Sequence, residues 1–324
     1  MAKTLLFITL IVSLLTGCAK ENSNVFTPYP GNVQDTTWVA TVPPGAPVKS
    51  LPALFAYPPF ISSFNNSVNS TVHVSNLLDI TIPAGSCIFA NGTAVTGTIS
   101  LEVIHLKSKG DFIRYARPTT SFGYLIESGG AFYLKAQQQG QEVLLKTNSY
   151  ATIKFKSPRL SPLMRVFYGV ENLQPPLPAG TNPEFTWTPS TDSVGVPLTT
   201  QDSGYNMNTT KFSWVNCDYF IDSTLPKTTF TAILPANFTN TNTSAFLVFK
   251  QQKIVVRLSA NFATKTFSAP NIPINSQVTL VVLSKLGDEL FKGSKDISIS
   301  NNIVERITPV KSTQPEIVQM LDSL

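Results

Sequence analysis

The chain has 324 residues, 42% of them hydrophobic, and a formal net charge of +5. That hydrophobic content supports packed cores and excludes a disordered chain. Charged residues make up only 13%; the Asn, Thr, Ser and Pro that take their place suit short strands and turns and disfavour long helices.

Residues 1–17 read as a secretory leader. Lys3 precedes the apolar stretch 5–12, then Ser13-Leu14-Leu15, then the small pair Thr16-Gly17 before Cys18. A cationic start, a short apolar core and a small-residue cleavage site define an export signal, and this core is too short to span a bilayer. Leu15-Thr16-Gly17-Cys18 resembles the bacterial lipobox. The resemblance implies cleavage before Cys18 and a diacylglycerol on its sulfur. Two acyl chains anchor stably, at about 0.8 kcal/mol per buried methylene. Ala19 follows the cysteine where an Asp is absent, which by analogy with lipoprotein sorting in other bacteria favours the outer membrane. Export argues against nucleic acid as a partner.

Residues 18–51 read as a tether, broken by Pro28, Pro30, Gly31, Pro43, Pro44, Gly45 and Pro47. A first β-sandwich is expected over 52–170. Strand patterns occupy 71–74, 77–82, 98–104, 122–126, 131–136, 143–145 and 153–155, with turns at Pro83-Ala84-Gly85, Asn91-Gly92, Gly129-Gly130 and Gln139-Gly140. Strands recurring every roughly 8–12 residues without helices between them predict an all-β sandwich. Residues 171–208 are rich in Pro, Thr and Ser and read as an inter-domain segment holding a lone strand over 185–189. A second sandwich is expected over 209–324. Its strands lie over 212–220, 230–234, 245–249, 254–258, 278–283 and 297–299, with a hairpin turn at 286–290. Thr313-Gln314-Pro315-Glu316 opens a short C-terminal helix: Thr313 caps it, Pro315 suits its first turn and Glu316 suits its dipole. Ile317, Met320, Leu321 and Leu324 form an apolar face expected to dock on the second sandwich.

Several phrases, in order, resemble uncharacterised lipoproteins of Bacteroidetes-type bacteria. They are Ile82-Pro83-Ala84-Gly85, Val95-Thr96-Gly97-Thr98-Ile99, Arg117-Pro118-Thr119-Thr120-Ser121, Leu125-Ile126-Glu127-Ser128-Gly129-Gly130 and Trp214-Val215-Asn216-Cys217-Asp218. The resemblance covers most of the chain after the tether and implies a family without an assigned activity. The Ile-Pro-Ala-Gly strand end also faintly resembles the β-sandwich of ankyrins and netrin receptors. Some relatives of that module cut themselves at a Phe-Ser bond; here Phe122 is followed by Gly123, so the nucleophile is missing.

Chemistry-bearing residues are few. His73 and His105 lie on strands without partners at metal-ligand spacing, so neither a metal nor another cofactor is expected. Glu127, beside Ser128-Gly129-Gly130, reads as capping a turn. No nucleophile elbow, phosphate loop or His-Glu-x-x-His is present. Cys87 and Cys217, each in an apolar stretch, read as free buried thiols rather than a bridge. Over 107–165 cations outnumber acids ten to three, and Lys154 and Lys156 alternate with Ile153 and Phe155, so both project from one strand face. That face, with Arg159, is the candidate contact for anionic headgroups or a polyanionic glycan. Trp187, in the polar inter-domain segment, reads either as packing across the domain junction or as the candidate aromatic platform. The expected function is a lipid-anchored, non-enzymatic module binding an envelope protein or component. A surface glycan binder is the alternative, followed by a hydrolase whose carboxylates converge only in the fold.

Overall fold

The computed structural model describes residues 36–178, 180–191, 204–221 and 224–324. The leader, Cys18, the tether up to residue 35 and residues 192–203 of the inter-domain segment lie outside the described residues. The fold is all-β, with three short helices among the described residues: α1 (Pro47–Phe55), α2 (Lys109–Arg114) and α3 (Gln314–Asp322). Residues Asp35–Leu324 pack as one compact unit.

Four sheets stack as layers. A four-stranded outer sheet runs in the order Gly204–Thr209, Ala151–Lys156, Leu78–Ile82, Ser70–Ser75. Next comes a nine-stranded sheet whose main path is Phe60–Asn65, Thr98–Leu106, Tyr124–Gln138, Trp214–Phe220, Arg165–Glu171, Phe185–Pro189. A five-stranded sheet follows, centred on Thr243–Phe249 and Gln277–Leu286. The last is a four-stranded sheet of Ser259–Asn261, Thr266–Pro273, Lys227–Ile233 and Val304–Arg306. Three cores fill the three gaps. Ile80, Ile153, Leu101 and Phe132 fill the first sandwich, and Phe230, Leu247, Phe267 and Leu280 the last. Between them, Trp187, Phe167, Ala131, Phe246, Val255 and Val281 join the two middle sheets, closed over by the helices.

This layering explains the uninterrupted apolar strands. A strand buried on one face alternates, whereas one buried on both reads as a continuous run. Ala151–Lys156 alternates buried with partly or fully exposed residues, while Gln277–Leu286 is buried almost throughout.

Several expectations are corrected. Gly129-Gly130 is not a turn: the strand Tyr124–Gln138 runs straight through it, with a register shift opposite Cys217/Asp218. Glycine is needed there because a Cβ on Gly130 would lie 2.9 Å from the Phe155 ring, and one on Gly129 3.2 Å from the Cys217 carbonyl. Gln139-Gly140 does turn, with positive φ at both residues as a tight hairpin requires. Trp214–Phe220, expected to open the second sandwich, pairs instead between Tyr124–Gln138 and Arg165–Glu171 of the nine-stranded sheet. The strand Phe185–Pro189 is not alone but extends that sheet beyond Arg165–Glu171.

The far end of the expected tether is also structured. Pro47 stands in the first turn of α1, where its fixed φ and missing N–H are harmless, and Val48, Leu51 and Phe55 bury one face. Val39 and Asn240 exchange two hydrogen bonds, and Trp38 packs on Phe267 at 5.2 Å. The C-terminal helix has its full capping box, with Thr313 and Glu316 satisfying each other's backbone N–H groups. It docks at the junction of the middle sheets beside α1 and α2 rather than on the second sandwich alone: Ile317 and Leu321 join the central core.

Candidate functional site

The junction of the two middle sheets has two contrasting ends. At one end aromatic rings pack beside a hollow of about 350 Å³ that Lys49, Arg117, Glu184 and Arg257 line. Trp187 is fully buried, its Nε1–H donates to the Pro118 carbonyl at 3.0 Å, and its ring meets Phe185 edge-on at 4.8 Å. Arg117 lies over Phe185 and Trp214, at 4.5 and 4.9 Å, while pairing with Glu171. Glu184 bridges α1 to the five-stranded sheet by accepting from Lys49 and Arg257. Burial alone would raise the Glu184 carboxyl, but the two cations hold it down to about 2.

Arg114 fastens the helices. Fully buried, it donates to Asp111 at 2.8 Å, to the Val318 carbonyl at 3.1 Å and to Asp322 at 2.5 Å, beneath the Tyr57 ring.

The other end is open. A cleft of about 300 Å³ is lined by Lys107, Lys109, Arg159, Lys250 and Lys253, with Glu127, Ser128 and Ser157 between them. Five separate stretches of chain supply it: the entry to α2, the middle of Tyr124–Gln138, residues 157–164 after Ala151–Lys156, the hairpin 250–253, and Leu324 after α3. Lys109 is held by the carbonyls of Phe249 and Lys250, at 2.8 and 3.1 Å. Lys250 is neutralised by Asp296 at 2.5 Å. Arg159 donates to the Gln251 carbonyl and stands 3.7 Å from Glu127, which also accepts from the Tyr219 hydroxyl at 2.7 Å. Lys107, Lys109 and Lys253 have no carboxylate within ion-pair distance among the described residues. Burial lowers the Lys109 pKa, helped by Arg159 and Lys250. Burial also lowers that of Lys253, against the pull of Asp218, Asp111 and Glu127.

Behind this wall lies a row of polar groups without partners. Asn216 and Asp218 follow Trp214 at two-residue spacing, so all three side chains face the junction. Ser128 donates to Asn216 Oδ1 at 2.8 Å, yet Asn216 Nδ2 and both Asp218 carboxyl oxygens are buried without a hydrogen bond. Burial drives the Asp218 carboxyl well above the usual carboxylate range, only partly opposed by the nearby Ser128 hydroxyl and the Lys253 charge. His105 stacks on Phe132 at 4.7 Å with Nδ1 unpartnered. Burial, with Lys107 and Lys253, pushes its pKa down to about 3, so it is neutral. Buried polar atoms without partners are rare in folded proteins; those of Asn216 and Asp218 lie on this side of the junction, and others stand at Arg114, Arg117, Thr181, Asn182 and Asn206. Among the described residues no group of three His, Cys, Asp or Glu is placed to hold a metal.

No family model, curated protein or solved structure matches this chain.

The residues singled out from sequence are scattered rather than convergent. Trp187 is core and offers no platform; its polar sequence neighbours hid a strand buried on both faces. Lys154 and Lys156 do share the exposed face of the outer sheet, opposite Asn206 and Gly204, with Lys154 also level with Asp79. Arg159 leaves that face and reaches the junction cleft. Glu127 caps no turn but anchors Tyr219 and Arg159 from mid-strand. Cys87 and Cys217 are buried and unbridged. Cys18 lies outside the described residues. Sequence reasoning missed Lys253, Asn216 and Asp218. A signal for the last two exists: polar residues at alternate positions of an otherwise apolar strand. The Gln251-Gln252-Lys253 turn carries none.

Proposed function

We propose that this chain is a lipid-anchored envelope protein that acts as a non-enzymatic binding module, with the junction cleft as its working surface. The lipobox-like Leu15-Thr16-Gly17-Cys18 supports acylation at Cys18 and residence on a membrane, by analogy the outer membrane. The observation that carries the binding role is the cleft itself, lined by three lysines without a carboxylate at ion-pair distance, one of them tied to the carbonyls of Phe249 and Lys250. A site of fixed cations over unpartnered polar groups recognises a ligand without supplying a nucleophile. Its carboxylate, Glu127, is occupied by Tyr219 and Arg159, which disfavours the hydrolase reading. The family resemblance to uncharacterised Bacteroidetes-type lipoproteins agrees with an envelope role.

The glycan-binding alternative keeps one foothold. Trp38 and the exposed Phe262 border a broad hollow with Thr36 and Lys265, a surface on which a sugar ring would stack.

Capture of the lipidated protein from its own envelope, with mass spectrometry and sugar analysis of what accompanies it, tests the reading. A stoichiometric component lost on Lys109→Gln/Lys253→Gln supports it. A component retained by that variant but lost on Trp38→Ala/Phe262→Ala supports glycan binding at the hollow instead.

A further inference from the structure

We propose that the junction cleft is a binding site for a phosphate monoester, carried by a lipid headgroup or free in solution. The inference deepens the binding-module reading and rests on it for its biological setting.

Charge selects the ligand class. Lys250 is neutralised by Asp296 and Arg159 is shared with Glu127 and the Gln251 carbonyl. Lys107, Lys109 and Lys253 remain, a surplus that a carboxylate with one charge leaves largely unmet. A phosphate monoester carries about −1.5 to −2 at neutral pH and accepts through three oxygens. Donors are also in surplus. Lys253 is half-buried and its ammonium makes no hydrogen bond to the described residues; Lys109 has one N–H beyond its two carbonyl bonds. The Ser128 and Ser157 hydroxyls line the same wall but already donate, to Asn216 Oδ1 and to the Arg159 carbonyl, so the lysines supply the free donors.

The second observation lies behind that wall. Asn216 Nδ2 is a fully buried donor with nothing to donate to. Asp218 is fully buried beside it, and burial pushes its carboxyl well above the usual carboxylate range. An acceptor-only ligand is the complement of the lysines that line the cleft, because bonds from cationic donors to phosphate oxygens are the strong kind. The volume, about 300 Å³, matches the lower end of small-molecule sites and admits the phosphate with a modest substituent. The site is fixed: Lys109 is tied to strand-end carbonyls, and the Ser128 N–H donates to the Lys253 carbonyl at 3.2 Å.

Isothermal titration of the mature soluble chain with inorganic phosphate and with glycerol phosphate tests this. Saturable binding is expected, weakened at least tenfold by Lys253→Gln or Lys109→Gln and unchanged by Lys154→Gln/Lys156→Gln. Affinity falls as salt rises, since the contacts are ionic. Sedimentation with phosphatidylcholine vesicles containing phosphatidic acid separates the sources: Lys253-dependent pelleting assigns a lipid headgroup, and solution binding alone assigns free phosphate. Thermal melts and circular dichroism confirm that each variant is folded; Arg159→Gln, at an exposed side chain, gives a further probe that spares the core. Absence of saturable binding, or binding indifferent to Lys109 and Lys253, overturns the proposal. If phosphate does not bind but envelope capture still depends on Lys253, the cleft reading stands and only the ligand class fails. If phosphate binds but capture ignores the cleft, the binding-module reading fails instead.

Discussion

One junction between two sheets is finished in opposite ways at its two ends. Around Trp187 the rings interlock, the indole N–H has its carbonyl, and Glu184 is matched by Lys49 and Arg257. Around Lys253 the same interface carries unpartnered amide and carboxyl groups and three lysines without acids. Burying polar groups without partners costs about 1–3 kcal/mol apiece. Arg114 and Arg117 each keep an unpartnered Nε in the aromatic and helical packing, so the contrast between the ends is one of matched against unmatched charge.

Breaking the aromatic end gives the largest effects. Trp187→Ala leaves a cavity among Phe185, Trp214 and the facing sheet and is expected to cost about 3–5 kcal/mol, read by urea denaturation. Arg114→Leu strands Asp111 in the interior and is expected to cost a similar amount, about 3–5 kcal/mol, with earlier loss of α3 by hydrogen exchange.

Two titrations of opposite sign sharpen the comparison. The Glu184 carboxyl is depressed to about 2, so its stabilisation is present above the ordinary carboxylate pKa and is lost as pH falls through about 4 toward 2. Glu184→Gln should flatten that acid limb. The Asp218 carboxyl is raised, so its contribution is greatest below about 4 and is lost as pH rises through the elevated folded value. Asp218→Asn should raise the Tm at pH 8 relative to the parent and leave it nearly unchanged at pH 4. A fall in Tm at pH 8 would mean that Asp218 is ionised and stabilised by Lys253.

How much of this was legible depends on whether the signal is local. The hairpin at Gln139-Gly140 and the box of Thr313 and Glu316 are set within a few residues, and both were readable. So was the all-β class, from strand spacing. Gly129-Gly130 misled because its glycines serve the close approach of Phe155 from another sheet, not a turn. Trp187 takes the junction-packing reading and not the platform, because its flanking polar residues meet partners far along the chain, Thr186 donating to the Thr120 carbonyl and accepting from the Phe122 N–H. Helix α1 was masked by prolines that read as breakers but include one placed at a helix start. The cleft joins residues near 108, 128, 158 and 252, and no pattern along the chain records that meeting. Charge counting finds the cations of 107–165 and the alternation of Lys154 and Lys156, but the meeting of Lys107 and Lys109 with Lys250 and Lys253 is a convergence that alternation does not record.

The smallest perturbation is the most direct test: labelling of lysine amines on the lipidated protein, free and in its own envelope, with each site read by mass spectrometry. The account predicts that Lys107, Lys109 and Lys253 are labelled in the free protein and protected in the envelope, while Lys154 and Lys156 are labelled equally in both. Protection of Lys154 and Lys156 with the junction lysines still reactive would contradict it and return the contact to the outer sheet.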